Sequence, residues 1–490
     1  MSDLTYGLDA LDQALPAYLE AERFYEGNAN EVFTSKALQK ALGGDSDKFN
    51  FNYAKIAVTS RLDRMEVASI TSEDGTADEA LADMWSRNDM DQEVKDALEA
   101  ALEYGDSYLI VGQDEDGQVE VFFNDPKNTR VFYQAENPRK KAFAIKRWIE
   151  GKYMRVNLYY KDRIEKYVSK GEPTPNMEDG DFQPYSEDGQ SVWPLPNDSG
   201  EIPVFHLRTS RMYGKPEHAQ AYGPQNAINK LIATQVSNID YTSAPQRYAL
   251  EDLTAKDGIS TNDFVTGKKT QDKSETEGLK SGPGEVWMLK GFKSVGQFEP
   301  ANPEVFVVPF KNFIEAMSTV TSTPMHSFNV GALPSGESLR AAEAPLNKRV
   351  ESLSTLFGGV LREMSEYALD TYGFENAKVL VYWNPPATYD DADVWAVVEA
   401  KTAAGVPLRT ALKEAGYTDT QVNEWYPEGT PAYSPTQLAK IAEAMQKLAA
   451  ASSMGVLSVE EIRALLPEDM LTGDTPIPDT VLDSLNGMGL

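Results

Sequence analysis

The pattern that most constrains this chain lies between residues 338 and 372. Leu339, Ala342, Leu346, Val350, Leu353, Phe357, Val360, Met364 and Ala368 recur every three or four residues. That spacing puts side chains on one face of an α-helix. The pattern predicts a helix of roughly 35 residues, well above the usual ~11–12. Pro345 falls inside it. Proline lacks the N–H and its ring collides with the carbonyl one turn back, so a kink is expected there.

The first hundred residues also read as helices. Leu8, Leu11, Leu15 and Leu19 share a helical face, Tyr53, Ile56, Ala57, Ser60 and Leu62 begin a second run, and Met84 to Tyr104 carries a third. The period then changes. Residues 107–112 form a buried-strand pattern, and a turn at Asp114 to Gly117 sends the chain back through 119–123 as a hairpin. Strand signals continue to Tyr167. Met154, Val156, Leu158 and Tyr160 alternate with Arg155 and Asn157, as on a strand with two distinct faces. Residues 171–201 are rich in Pro, Gly and acids and read as a surface loop, with a short final strand at 202–207.

Helical patterning returns near Ala219, where Ala227, Leu231, Ile232, Gln235 and Ile239 line a face that fades by Tyr241. Residues 245–300 form a distinct insert with polar turns and a strand candidate at 285–289. A helix is expected at 303–321, then a non-helical stretch at 323–335. The last hundred residues read as short helices with capping boxes at Ser434-Pro435 to Gln437 and Ser458 to Glu461. Segments 395–415 and 444–466 each read as helix, turn, helix. The expected fold class is α+β, with antiparallel strands in the first half and helices in the second.

Composition narrows the chemistry. The 490 residues carry 46 Lys and Arg against 76 Asp and Glu, a net charge of −30, and no Cys. Without Cys there is no disulfide scaffold, thiolate metal site or thiol nucleophile. So acidic a chain lacks the basic footprint of an ordinary nucleic-acid binder. The first residues lack a signal-peptide pattern, and no apolar run approaches the ~20 residues that span a bilayer, so no membrane partner is expected.

Familiar catalytic motifs fail on inspection. His206, His218 and His326 lie far apart in sequence, so no zinc-binding His pair is formed on one helix. Gly267 to Thr270 resembles the end of a phosphate loop, but Asn262 stands where its first glycine belongs. Leu333 replaces the glycine a nucleophile elbow needs before Pro334-Ser335-Gly336. Asp114 to Gly117 and Asp179 to Asp181 lack the ligand series of a calcium loop and read as turns. No cofactor, metal or catalytic residue is expected. One band opposes the overall charge: residues 139–170 hold eleven Lys and Arg against three Asp and Glu. With Trp148, Tyr153, Tyr159 and Tyr160 among them, it reads either as the solvent face of a sheet or as a nucleic-acid surface.

The order of parts resembles the portal proteins of long-tailed bacteriophages. The residues carrying the resemblance are Phe24 to Asn28, Asn52 to Lys55, Trp85 to Asn88, Glu103 to Tyr108, Ile202 to Val204 and Ala244 to Tyr248. Pro334 to Arg340, with Asn347 and Lys348 beyond, and Val381 to Pro386 complete the set. The resemblance implies a ring-forming fold: a wing at 1–218, stem helices at 219–244 and 302–322, and a clip at 245–301. It further implies a tunnel loop at 323–337, a kinked helix and return to the wing at 338–389, and a helical crown at 390–490. Implied partners are further copies of the chain (typically twelve), the terminase large subunit, a head–tail adaptor, the major capsid and scaffolding proteins, and double-stranded DNA. The implied location is the portal vertex of the virion, after assembly in the host cytoplasm.

On this reading the tunnel-loop residues are His326, Phe328, Asn329, Val330 and Leu333. Arg340, Lys348 and Arg349 could face DNA or pair with Glu343 and Glu351, and Arg247, Tyr248, Lys268, Lys269 and Trp287 would form the partner surface of the clip. The acidic total would then let DNA slide instead of gripping it. Two other readings stand beside this one: a metal-dependent nuclease using acidic clusters, and a virion adaptor without a channel.

Overall fold

The computed structural model describes residues 2–28, 51–73, 75–114, 116–186, 193–210, 212–243, 247–251, 292–297, 304–328, 336–374, 376–386, 391–404, 406, 408–415, 417, 422, 425 and 426. Helices α1 (Asp3–Tyr25) and α2 (Ala54–Leu62) open the chain, followed by β1 (Val67–Ser72), α3 (Asp78–Arg87) and α4 (Met90–Tyr104). Next come β2 (Asp106–Gln113), β3 (Val119–Asn124), β4 (Thr129–Tyr133), β5 (Lys141–Glu150), β6 (Tyr153–Tyr159) and β7 (Arg163–Ser169). Short strands β8 (Phe182–Pro184) and β9 (Leu195–Pro196) precede β10 (Val204–Arg208). The second half holds α5 (Tyr222–Ser243), β11 (Arg247–Glu251), β12 (Phe292–Gln297), α6 (Glu304–Thr321), the single turn α7 (Met325–Phe328) and α8 (Gly336–Thr371). Strand β13 (Val379–Trp383) and helices α9 (Asp391–Ala403) and α10 (Leu408–Glu414) follow. The chain divides into two compact units, 1–63 with 69–381 and 64–68 with 382–490.

The larger unit is built on two antiparallel sheets. One runs β10-β2-β3, and the other runs β4-β5-β6-β7-β8 with β9 also on β7. Helix α1 covers the second sheet because its apolar residues fall on one stripe. Leu4, Leu8 and Leu11 pack with Phe132, Phe143, Ile145, Val156 and Leu158. The Ser2 hydroxyl caps the helix by accepting from the Thr5 N–H at 3.3 Å, which satisfies one of its unpaired first-turn donors. Gly7 lets the helix come close: a Cβ there would lie 2.7 Å from Ile145 Cδ1. Strand β6 is buried on both faces, with Val156 and Leu158 against α1 and Tyr159 in a separate cluster with Tyr108, Val131, Ala144 and Val204.

Several sequence expectations need correcting. Leu19 is 48 % exposed, and the buried stripe of α1 continues through Tyr18 and Ala21 instead. The run from Met84 to Tyr104 is two helices, because Asp89 takes a left-handed conformation (φ 49°) between them. Asn88 makes the break useful: its side chain donates to the Met84 and Val119 carbonyls and accepts from the Val121 N–H at 2.9 Å. Residues 171–201 are not wholly a loop, since β8 and β9 extend the sheet and bury Phe182 beside Met177. On α5 the buried positions are Gln225, Ile228, Asn229 and Ala233, while Ile239 is exposed. Part of the basic band is paired within the sheet and its surroundings: Arg147 with Asp12 (2.6 Å), Arg155 with Glu150 (2.8 Å), Arg163 with Glu165 (2.7 Å) and Lys141 with Glu363 (2.7 Å).

Helix α8 runs continuously through Pro345 for 36 residues. Leu346, Val350, Leu353, Phe357, Leu361, Met364 and Ala368 are buried along it. Leu361 takes the place expected for Val360. In the smaller unit, α9 and α10 form the expected helix-turn-helix over Val398, Leu408, Ala411, Leu412 and Val422. The capping boxes at 434 and 458 and the segment 444–466 lie outside the described residues. Among those residues, no helix is long and apolar enough to cross a membrane.

Candidate functional site

Against α5 and α6, the short helix α2 is held at both of its ends. At its N-terminus, Gln225 of α5 accepts from the Tyr53 and Ala54 N–H groups at 2.8 and 3.0 Å. A buried side chain from a neighbouring helix thus satisfies donors that a helix start leaves unpaired. The Gln225 amide donates in turn to the Phe51 carbonyl and to Asn229 Oδ1. The apolar face of α2 then packs with Ala221, Ile228, Ile314, Met317 and Phe328.

At its other end, α2 presents Arg61, which is 2 % exposed. Arg61 Nη1 donates to the Ala57 carbonyl one turn back and to the Thr323 hydroxyl at 3.3 Å, and Nη2 donates to the Thr321 carbonyl. Its Nε lies 3.0 Å from Glu217 Oε2, close as ions though unaligned as a hydrogen bond. Arg349 of α8 completes the group by donating through Nε (3.1 Å) and Nη2 to the same carboxylate. Two guanidiniums therefore share one buried carboxylate, Arg61 from inside and Arg349 from a half-buried position. Carbonyls near the ends of α2 and α6 supply the remaining negative potential, as helix C-termini do. Burial lowers the Arg61 pKa against the pull of Glu217, and the hydrogen bonds that Arg349 donates to Glu217 raise that of Arg349.

The end of α6 is shaped to meet Arg61. Ser322 adopts a left-handed conformation (φ 53°). The Ser322 N–H returns to the Thr319 carbonyl (3.3 Å) and the Thr323 N–H to that of Ser318 (3.0 Å). This double closure is the Schellman motif, with a serine where glycine is usual. It leaves the Thr321 carbonyl pointing on, and Arg61 takes it. Pro324 follows and cannot extend the helix.

Glu217 is placed by the backbone. Its N–H donates to the Leu102 carbonyl at 2.9 Å. Gly105 and Gly214 allow that approach, since a Cβ on Gly214 would lie 1.8 Å from the Gly105 carbonyl oxygen. Beside this crossing, Asp106 accepts from His206 Nε2 (2.8 Å), the Gly214 N–H (2.7 Å) and the Tyr18 hydroxyl (2.9 Å). Burial works to raise the Asp106 pKa, but these bonds hold it below the usual range. His206 is pushed down by its own burial. His218 donates to the Ala21 carbonyl at 3.0 Å and is pushed down by burial to about 4.

The structure separates the residues singled out from sequence. His326 sits on α7, with Nε2 3.3 Å from Glu343 Oε1 of α8. Phe328 is buried in the chain's own core under α2. So the first part of the expected non-helical loop is a packed helical turn, because Phe328 finds apolar cover within its own subunit. Asn329, Val330 and Leu333 lie outside the described residues. Arg340 and Lys348 are exposed on α8, whereas Arg349 turns inward to Glu217. Arg247 and Tyr248 fall on β11, opposite Gln297 and Gly296 of β12. Lys268, Lys269 and Trp287 lie outside the described residues. Among those residues, no group of three His, Asp or Glu is gathered as a metal site would require.

Sequence reasoning missed Arg61, Glu217 and Gln225. Arg61 carried a signal, since it falls on the helical face of Ala54, Ala57 and Val58, where a charge needs a buried partner. Nothing in the sequence indicated that the partner lies 156 residues away at Glu217.

The family model described as "Phage portal protein, SPP1 Gp6-like" matches residues 6–454, and the chain belongs to that family. The portal protein of Mycobacterium phage D29 is 24 % identical over 426 residues, 83 % of each chain. Among solved structures, a chain from the neck of an empty gene transfer agent particle with C6 symmetry has a TM-score of 0.44 and 12 % identity, covering 74 % of this chain and 89 % of that one. A chain from the virion of a native gene transfer agent particle has a TM-score of 0.42 and 12 % identity, over 83 % and 92 % of the two chains.

Proposed function

We propose that this phage portal protein assembles with further copies of itself into a ring at one capsid vertex, around a channel that passes double-stranded DNA during packaging and ejection. The observation that carries the reading is the outward face of α6. Its inward face buries Ile314 and Met317, while Val305 and Val308, one turn apart, are 63 % and 61 % exposed. Val307 and Val320 are exposed as well. Val305 and Val308 form a small exposed apolar patch at the start of the helix, beyond which Asn312, Glu315 and Thr319 continue the same face; we read the patch as a surface that a neighbouring copy covers.

In this reading α5 and α6 are the stem, β11 and β12 belong to the clip, and residues 323–337 carry the loop at the channel. The clip would meet the terminase large subunit and later the head–tail adaptor, and the outer body would meet the major capsid and scaffolding proteins. Arg340 and Lys348 are the cations we assign to DNA phosphates, while Arg349 holds the subunit together. The acidic excess would keep the duplex from adhering, because the repulsion reaches about a Debye length, ~8 Å at physiological salt. Negative-stain imaging of the purified protein tests the reading. Rings with a central hole are expected, and a protein that stays monomeric at micromolar concentration would sink it.

A further inference from the structure

We propose that Arg61 is a positioning residue for the root of the channel loop, setting where residues 321–328 leave the stem. This rests on the portal reading for its purpose, though not for its geometry.

Among the described residues, Arg61 is the side chain that joins the end of α6 to both α2 and the Glu217–Arg349 pair. It binds the Thr321 carbonyl, which the Schellman closure leaves unpaired within the helix, and the Thr323 hydroxyl just beyond. The Thr321 and Thr323 hydroxyls also bond each other at 3.0 Å, and the Ser318 hydroxyl donates to the Thr323 carbonyl at 2.7 Å. Both threonines are at most 3 % exposed. The left-handed Ser322 sits between them, a conformation that a non-glycine residue keeps only when its surroundings over-determine it. The guanidinium fork provides that determination: Nη2 holds the Thr321 carbonyl, and Nη1 holds both the Thr323 hydroxyl and the Ala57 carbonyl of α2. On the far side, α7 leads Phe328 into the cluster beneath α2. The loop root is thus fixed at two points on one helix, through a polar fork at Arg61 and an apolar anchor at Phe328.

A fork can be distinguished from a charge. R61K keeps a cation beside Glu217 but reaches only one of the two carbonyls, because an ammonium is a compact point charge and not a planar fork. The full-length protein is compared with R61K by amide hydrogen exchange and by thermal melting. The expected result is a rise in exchange at 321–328 of at least about tenfold, with α1 and the β4–β8 sheet unchanged. If exchange at 321–328 in R61K stays within about twofold of the parent, the proposal is overturned. A uniform rise across the chain would equally overturn it, since Arg61 would then be a general stabiliser. Should R61K fail to fold, E217Q, which keeps the shape of the carboxylate and removes its charge, is read the same way.

A complementation assay gives the functional arm. Rings of R61K should form normally and package DNA at least about tenfold less than the parent, an effect of about 1.4 kcal/mol on the limiting step. Normal packaging by R61K would refute the positioning role. Absence of rings in the parent protein would refute the portal reading instead and leave the exchange result standing.

Discussion

The β-sheet body under α1 and the helices α5 and α6 belong to one compact unit, yet they meet solvent in opposite ways. In the body, apolar residues are enclosed on both faces of β6, and the basic side chains find acids close by. On α6 only the inward face is enclosed, and valines stand outside. The body can hold its shape alone. The helical pair encloses its inner face and leaves valines exposed at the start of α6, a patch that the proposed ring would cover with a neighbouring copy. Stability and assembly are therefore written in different parts of the chain, and they should respond separately to mutation.

The strongest test of that separation is an outward charge on α6. Paired V305D and V308D substitutions should abolish ring formation while the melting temperature of the subunit changes little. The measurement is light scattering after gel filtration, beside a melting curve. Rings that survive would break the comparison, and a subunit that unfolds would show that the patch is internal.

The reverse experiment targets the body. I145A removes a fully buried side chain packed against Gly7 and should cost roughly 2–5 kcal/mol, the usual range for large-to-small core changes. Denaturant unfolding checks it, and whatever protein remains folded should still assemble. A loss of rings at unchanged stability would make the two regions one.

A smaller effect is expected at the seam. His218 joins α1 to the approach to α5, between the rings of Tyr25 and Tyr222. Its pKa of about 4 in the folded chain lies below the ordinary 6.5, so folding favours the neutral ring. That contribution is complete above pH 6.5 and is lost as pH falls through about 4. It amounts to at most about 3 kcal/mol. Unfolding free energies measured from pH 7 to pH 4 should decline with a slope that H218N flattens, and an equal slope in both proteins would remove His218 from the account.

Local patterning revealed the elements well where one face alone was buried. The long helix α8 is such a case, because a single apolar face leaves a clean period in the residues, whereas β2, buried on both faces, showed itself as an unbroken apolar run. It misled where burial came from elsewhere in the chain. On α5 the polar Gln225 and Asn229 are inside because they bond α2 and each other, so an apolar face drawn from hydrophobic residues alone pointed to the wrong side. The break at Asp89 was hidden because the reason for it, the Asn88 bonds to β3, is a tertiary one. Of the site, the sequence singled out Arg349 alone, and without its partner Glu217. The Arg61–Glu217–Arg349 group stayed out of view because its members are far apart in the chain and none belongs to a motif.

The capping of α2 by Gln225 limits how the subunit can deform. Sliding α5 past α2 by one residue, about 1.5 Å, would pull the Gln225 amide away from both N–H groups it serves. Sliding α6 would tear the Thr321 carbonyl from Arg61. With both helices pinned to the same short strut, the pair is geared, and in the proposed ring a change in channel width would come from tilting the pair together or from bending beyond the pins.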